Sequence, residues 1–314
     1  MRQIRKYLID FKSNKKVRKY LSMPGIKGIV FKAGIYFFLL EFAFVFLLPF
    51  ITIITKAPKS MQDILNPVVY WLPTRIEFSN FTTAFETLNY KTTILNSMFL
   101  SIVPVLFQSI SCAIAGYSIG RYKFWGRNLM FLLVILTIIV PPQTIVISRY
   151  LLYNQMDWIN TFYPLIVPEL VGHGLRGGLF VLIYSQFFKN IPLALEESAR
   201  IDGCGPIRIF LQIVMPLAKS AIALVVIFSF VWHWNDTYSS SMFLSKSELM
   251  PAIVRFETLF DPRYASIYGT DSAIFNNDAV KMACALLIVL PLLIIYVVIQ
   301  RQFTESIERT GLVE

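Results

Sequence analysis

ESARIDGCGPIRIFLQIVMP, residues 197–216, is a polar, charge-bearing segment set between two long apolar runs. Its start carries helix-entry signals. Pro192 precedes the first turn, and Glu196 and Glu197 place negative charge at the positive end of a helix dipole. Glu196 and Arg200 stand four apart and can pair along one face. Gly203 is placed to end this helix, because a glycine just past the last turn accepts left-handed geometry that a side chain resists. Pro206 opens a second short helix, in which Ile207, Phe210, Leu211 and Val214 recur at i, i+3, i+4 and i+7, with Arg208 and Gln212 off that stripe. Two short helices joined by a glycine turn are marginal alone and need a surface to pack on.

The surroundings of this segment define the class. Apolar residues make up 56% of the chain and the mean hydropathy is +0.60, above the soluble norm of roughly 45–50% apolar. Several runs reach the roughly 20 apolar residues that a bilayer demands. The chain is therefore predicted to be an all-α polytopic membrane protein. Its net charge of +10 speaks to membrane topology rather than to nucleic acid, which is not expected as a partner. Cys112, Cys204 and Cys284 lack a framework spacing, which argues against disulfides and against a metal site. Residues 1–33 form a basic arm, with Arg2, Arg5, Lys6 and Lys12 among its cations. It is too long and too charged for a cleavable signal peptide, and the positive-inside rule holds it in the cytoplasm, where anionic lipid is a natural neighbour.

Six spans are expected. The first runs from Gly34 to Ile54 and is followed by a long polar loop to about Lys91. The second, Asn96 to Gly116, ends in a small-residue motif of Gly116 and Gly120 that can let helices approach closely. The basic turn of Arg121, Lys123 and Arg127 reads as cytoplasmic. The third span begins near Asn128 and must bend at Pro141-Pro142. The fourth, Thr161 to Phe188, puts Glu169, His173 and Arg176 at i, i+4 and i+7 on one face. Charged groups at membrane depth usually face a cavity or a partner, so the trio reads as a lining of a transport path or a seam to another subunit. The alternative is that Glu169 and His173 sit near the outer interface while Arg176 pairs locally. The fifth span, Ala218 to about Tyr238, ends in Trp232, His233, Trp234, Asn235 and Asp236. Such a cluster serves either as an aromatic interfacial belt or as a sugar-binding surface. An acid-leaning outer loop with Glu248, Asp261 and Asp271 leads to the sixth span, Val280 to Ile299. Six spans put both termini in the cytoplasm.

The segment at 197–216 resembles the EAA loop of permease subunits of binding-protein-dependent ABC importers, whose pattern runs E-A-A, three residues, G, nine residues, I-x-L-P. Glu197, Ser198 and Ala199 fill the first places, Gly203 the glycine, and Ile213, Met215 and Pro216 the close. Ser198 and Met215 are mild departures. The break at Val140 to Gln143, the W-x-W-N-D ending of the fifth span and the tail with Gln302, Phe303, Thr310 and Gly311 are similar to the carbohydrate-uptake branch, in particular to maltose-permease-like subunits. The resemblance covers roughly Thr92 to Ile299.

That resemblance implies a type I ABC importer permease fold in a bacterial cell membrane. The transmembrane domain would occupy 92–300, with a coupling loop at 193–216, a first helix and outer loop at 34–91, and a tail at 301–314. It implies that Glu196, Glu197, Ser198, Ala199, Asp202, Gly203 and Pro216 contact an ATPase. Trp232, Trp234, Asn235 and Asp236 are candidates for the substrate path, as are Glu169, His173 and Arg176, whose polar face departs from the mostly apolar helix that the resemblance leads one to expect there. The partners would be a second permease, two ATPase subunits, an extracytoplasmic solute-binding protein and a sugar. No G-x-x-x-x-G-K-[ST] is present, so ATP–Mg would be bound by the partner ATPases and this chain needs no cofactor. There is no H-E-x-x-H and no nucleophile elbow, hence no catalytic or metal site is expected. Two alternatives stand: a permease for another polar solute, and an intramembrane enzyme using Glu169, His173 and Arg176.

Overall fold

The computed structural model describes residues 26–262 and 272–311. Most of the basic arm expected over residues 1–33 lies outside them, as does Asp271. The described chain is helical, with α1 Ile26–Lys56, α2 Ser79–Thr87, α3 Tyr90–Arg121, α4 Arg127–Ile139, α5 Val146–Gln155, α6 Tyr163–Leu170 and α7 Gly177–Lys189. Beyond these come α8 Leu193–Ile201, α9 Pro206–Leu217, α10 Lys219–Trp234, α11 Thr237–Phe243, α12 Ala252–Phe260 and α13 Asp278–Gly311. No strand occurs among the described residues.

Three helices are long and apolar enough to cross a bilayer alone, within α1, α3 and α13; up to six spans result if each bent helix pair counts as one. The bends have local causes. Pro141 and Pro142 separate α4 from α5 at 96°, because each ring removes a ladder donor and crowds the preceding turn. α7 meets α8 at 73° and α9 meets α10 at 78°, so both halves of the loop at 193–216 turn sharply away from the helices that carry them. Whole faces remain apolar and uncovered. The membrane window of α1 buries nothing within the chain, and Phe46 is 74% exposed. Such continuous apolar surface belongs against lipid or another subunit.

Helices without a hydrophobic drive toward one another in lipid associate through close packing and interhelical hydrogen bonds. α3 is the hub of that packing here. A Cβ at Gly116 would lie 2.6 Å from Cβ of Tyr184, and one at Gly120 would lie 3.0 Å from the Ser185 carbonyl, both on α7. The Gly116/Gly120 motif thus seats α7 directly on α3, and Ser109 and Tyr184 share a hydrogen bond of 2.8 Å across the same seam. Around it Cys112, Tyr117, Phe180, Phe188, Val214 and Val225 form one buried cluster. A second cluster, with Leu88, Leu259, Phe260, Val280 and Ile288, joins α2, α12 and α13.

One expectation from sequence needs correction, that of the fourth span, and two others gain detail. The long polar loop after the first span is held together by hydrogen bonds. Lys59 Nζ donates to the carbonyls of Val69 and Tyr70 at 2.7 and 2.8 Å, Thr74 donates to Asp63, and Asn80 holds the carbonyls of Ala57 and Lys59. The last candidate span, Asp278–Val297, ends close to the expected Ile299, and its helix α13 runs on unbroken to Gly311. The expected fourth helix is two helices, α6 and α7, with residues 171–176 outside any helix. Gly172 and Arg176 both take left-handed backbone there, at φ 70° and 61°. Glu169, His173 and Arg176 therefore do not share one helical face.

Insertion of a side chain into the α3–α7 seam should be expensive. Gly116→Val is expected to destabilise the purified protein by about 1–3 kcal/mol through overpacking. Gly205→Ala, where a Cβ would meet nothing within 4 Å, should leave thermal unfolding nearly unchanged. Equal melting temperatures for the two variants would contradict the close-approach role of Gly116.

Candidate functional site

Two sites emerge, at opposite ends of α10. The first is the loop at 193–216. α8 ends as the sequence predicts: Gly203 sits at φ 79°, its N–H reaches the Arg200 carbonyl at 3.1 Å, and the Cys204 N–H reaches Ala199 at 2.9 Å. This paired closure satisfies the orphan carbonyls of the last turn. Pro206 opens α9 at its first helical position, where its missing N–H is not needed.

The packing of α9 differs from the expected stripe. Ile209 and Val214 are buried, whereas Ile207 and Leu211 are 77% and 57% exposed. A π-turn at Phe210–Val214 widens the helix there and takes the side chains beyond Ile207 off the 3.6-residue register. Ile207 joins Ile201, itself 86% exposed, and exposed Glu197, Ser198, Asp202 and Gly203 on the outer surface of the loop; Pro216 is exposed as well.

Glu196 takes a different role from the rest of this set. Arg200 approaches it only at 3.8 Å, while Arg121 Nε at the end of α3 donates to Oε1 at 2.8 Å, with side-chain exposures of 5% and 3% for the Arg121–Glu196 pair. The same arginine donates to the Ile191 carbonyl at 2.6 Å, and the Tyr117 hydroxyl donates to Oε2 at 3.1 Å. A buried, multiply bonded ion pair thus ties the loop to α3. Ala199 packs beneath it in the main cluster. Sequence spacing finds the i, i+4 partner of Glu196 but cannot find Arg121 or Tyr117, more than seventy residues earlier.

The second site is a cavity of about 770 Å³ where the interrupted helices meet. Pro141, Pro142 and Gln143 form part of its wall, together with Glu169, His173, Arg176, Arg149, His233 and Asp236. A polar network stands behind it. Gln108 of α3 donates to the Leu175 carbonyl at 2.8 Å and accepts from the Ser229 hydroxyl of α10. Ser111 donates to the Glu169 carbonyl at 2.7 Å. The segment 171–176 wraps the Glu169 carboxylate, whose Oε1 accepts the Leu175 N–H at 2.7 Å, and a Cβ at Gly174 would collide with that carboxylate.

His233 Nε2 lies 3.0 Å from Glu169 Oε1, while Nδ1 lies 2.8 Å from the Ser229 carbonyl. A carbonyl only accepts, so Nδ1 carries a hydrogen. His233 thus bridges the Ser229 carbonyl of its own helix and the Glu169 carboxylate. Glu169 Oε2 is buried without a partner.

The remaining predicted path residues divide. Asp236 lines the cavity and caps α11 by accepting the Ser239 N–H at 3.0 Å. Trp232 packs on Phe180 and Phe228 and lies under the Arg176 guanidinium at 5.5 Å. Trp234 is 3% exposed and packs on Phe230, a core position. Asn235 is exposed and its amide turns back to the Val231 carbonyl at 2.7 Å. Arg149, Gln108 and Ser229 are cavity and network residues that sequence reasoning missed, and His233, named within the cluster ending the fifth span, was not matched with Glu169. Only the proline break before Arg149 and the polarity of Gln108 inside an apolar run could have signalled them.

Comparison with known proteins fits this geometry. Residues 112–309 match the family described as the binding-protein-dependent transport system inner membrane component. Relatives include the polygalacturonan/rhamnogalacturonan transport system permease protein YtcP of Bacillus subtilis, 27% identical over 90% of this chain and 97% of that protein. The melibiose/raffinose/stachyose import permease protein MelC of the same organism is 28% identical, covering 82% and 87%. The maltodextrin transport system permease protein MalD of Streptococcus pneumoniae is 26% identical, covering 88% and 93%. In fold, the chain is similar to a subunit in the crystal structure of a bacterial ABC transporter involved in the import of the acidic polysaccharide alginate. That match has a TM-score of 0.76 and 21% identity, over 90% of this chain and 99% of that one. The family is a membrane component of transport and not an enzyme, which removes the intramembrane-enzyme alternative. The chain belongs to the inner-membrane permease components of binding-protein-dependent ABC importers.

Proposed function

We propose that this chain forms half of the translocation pathway of an ATP-driven saccharide importer, and that the loop at 193–216 couples it to ATP hydrolysis. The relatives named as permeases for galacturonan, melibiose-type and maltodextrin saccharides support the solute class. The second permease subunit, two ATPases that bind ATP–Mg, and an extracytoplasmic solute-binding protein complete the assembly. The central observation is the division of labour within α8. Glu196 is buried against Arg121, while Glu197, Ser198, Asp202 and the apolar side chains of Ile201 and Ile207 face outward. An exposed apolar knob rimmed by acids is a surface for a partner. The buried carboxylate behind it hands any displacement of that surface to α3, and α3 packs on α7 and α10. Closure of the ATPases would thereby tilt the helices around the cavity and reverse its access.

Basic residues mark two stretches: Arg121, Lys123 and Arg127 at the α3–α4 turn, and Lys189, Arg200, Arg208 and Lys219 in and around this loop. They assign the loop, and with six spans both termini, to the cytoplasm. Single cysteines at Ser198 and near Pro67 should then react with impermeant thiol reagents from opposite sides of the membrane. Labelling of both from one side would contradict the six-span topology.

Coupling is tested at the exposed face. Glu197→Lys and Gly203→Asp are expected to insert and assemble with the second permease but to lose substrate-stimulated ATP hydrolysis and uptake. The first reverses the docking charge. The second forces a left-handed backbone on a side chain, at roughly 1–2 kcal/mol. Full coupling in both variants would reduce this loop to a connector.

The anchor is tested separately. Arg121→Met strands the Glu196 carboxylate and should destabilise the protein by about 3–5 kcal/mol, whereas adding Glu196→Leu should recover most of that loss. Equal melting temperatures for the single and double variants would show that the pair does not hold the loop.

A further inference from the structure

The cavity wall carries a charge pattern that a neutral solute does not require. Its ionisable side chains are Arg149, Arg176, His173, His233, Glu169 and Asp236. The acids are already engaged. Glu169 is bonded to His233 and to the Leu175 N–H, and one oxygen of Asp236 accepts the Ser239 N–H. The arginines are not. Among the described residues neither Arg149 nor Arg176 has a carboxylate within ion-pair distance or donates a hydrogen bond to protein. The wall therefore holds two guanidinium groups with no carboxylate in ion-pair contact.

Both guanidinium groups are also held in place. Arg149 stands over the rings of Tyr153 and Phe243 at 5.7 and 5.9 Å, and Arg176 over Trp232 at 5.5 Å. Stacking on a ring face fixes the plane of the fork and leaves its N–H edges free for bidentate contact with an oxyanion. Arg176 gains this position from a left-handed backbone, φ 61°, which a bulky residue adopts only when its surroundings enforce it. A volume of about 770 Å³ lies within the range of pockets that enclose small organic ligands, roughly 300–1,000 Å³.

We propose that this cavity selects acidic saccharides, with Arg149 and Arg176 binding a uronate carboxylate as the sugar crosses. This rests on the saccharide reading above and narrows it to a charged class. Asp236, which lines the cavity and commits one carboxylate oxygen to the Ser239 N–H, keeps the other to accept a sugar hydroxyl beside the uronate.

The test uses the complete importer with its binding protein in proteoliposomes, with trigalacturonate and the same trisaccharide reduced at its carboxyl groups as probes. Wild type should import trigalacturonate with the lower KM, and that KM should rise with ionic strength while the KM for the reduced sugar stays level. Arg149→Gln and Arg176→Gln should each raise the ratio of the two KM values by about tenfold, the scale of one charge-assisted hydrogen bond. Arg176→Lys, which keeps the charge and loses the fork, should fall between. The salt arm needs no variant and so remains decisive if a substitution prevents assembly. Import of the reduced sugar but not of trigalacturonate would overturn the proposal and leave the saccharide reading intact. Equal shifts for both probes in every variant would also overturn it. Failure of both sugars, neither imported nor stimulating ATP hydrolysis, would remove the saccharide reading for this class of sugar, and this proposal with it.

Discussion

Much of the molecule depends on one buried contact, the ion pair between Glu196 on α8 and Arg121 at the end of α3. Removing two charges from water is expensive, and the pair is tolerable only because its remaining valences are filled. The Tyr117 hydroxyl and the Ile191 carbonyl fill them. The contact joins a loop that leaves the helix bundle at sharp angles to the helix on which the bundle is assembled. A hydrophobic replacement could supply equal stability, but it would not set direction. A buried pair whose other valences are bonded to Tyr117 and Ile191 is held in one geometry, so the loop and α3 are expected to move as a unit.

The second organising feature is backbone interruption. α4 and α5 part at two prolines, and α6 and α7 part around the Glu169 carboxylate. Irregular backbone at membrane depth is tolerated where it lines a cavity or is satisfied by neighbouring side chains. Here both conditions hold. Gln108 and Ser111 of α3 bond the backbone of 169–175, and the same stretch forms the wall of the cavity. α3 therefore touches both the coupling loop at its end and the cavity network at its middle. That single helix gives a short physical route between them.

How much of this could be read beforehand follows from the range of each interaction. The glycine stop at Gly203, the proline entry at Pro206, the break at Pro141-Pro142 and the close approach at Gly116 and Gly120 are local, and the sequence states them. Interactions across the bundle were not legible. The spacing of Glu169, His173 and Arg176 suggested one helical face because nothing local announces that a carboxylate would recruit the following loop around itself. The glycines at 172, 174, 177 and 178 were the available sign. The π-turn at Phe210–Val214 likewise broke a periodicity that fitted a regular helix, because packing of Ile209 and Val214 into the core outweighed the cost of a widened turn. Arg149 is a cavity residue only because the proline break turns α5 back toward α6.

The claim that the loop and α3 form one unit is tested most directly by a distance within it. Spin labels at Ser198 on α8 and Lys123 just beyond α3, both exposed, can be read by pulsed electron paramagnetic resonance in the assembled importer, nucleotide-free and trapped with ATP. The account predicts a narrow distance distribution with the same mean in both states. A shift of several ångströms on ATP binding, or a broad distribution in either state, would show that the loop slides over α3 and would contradict it.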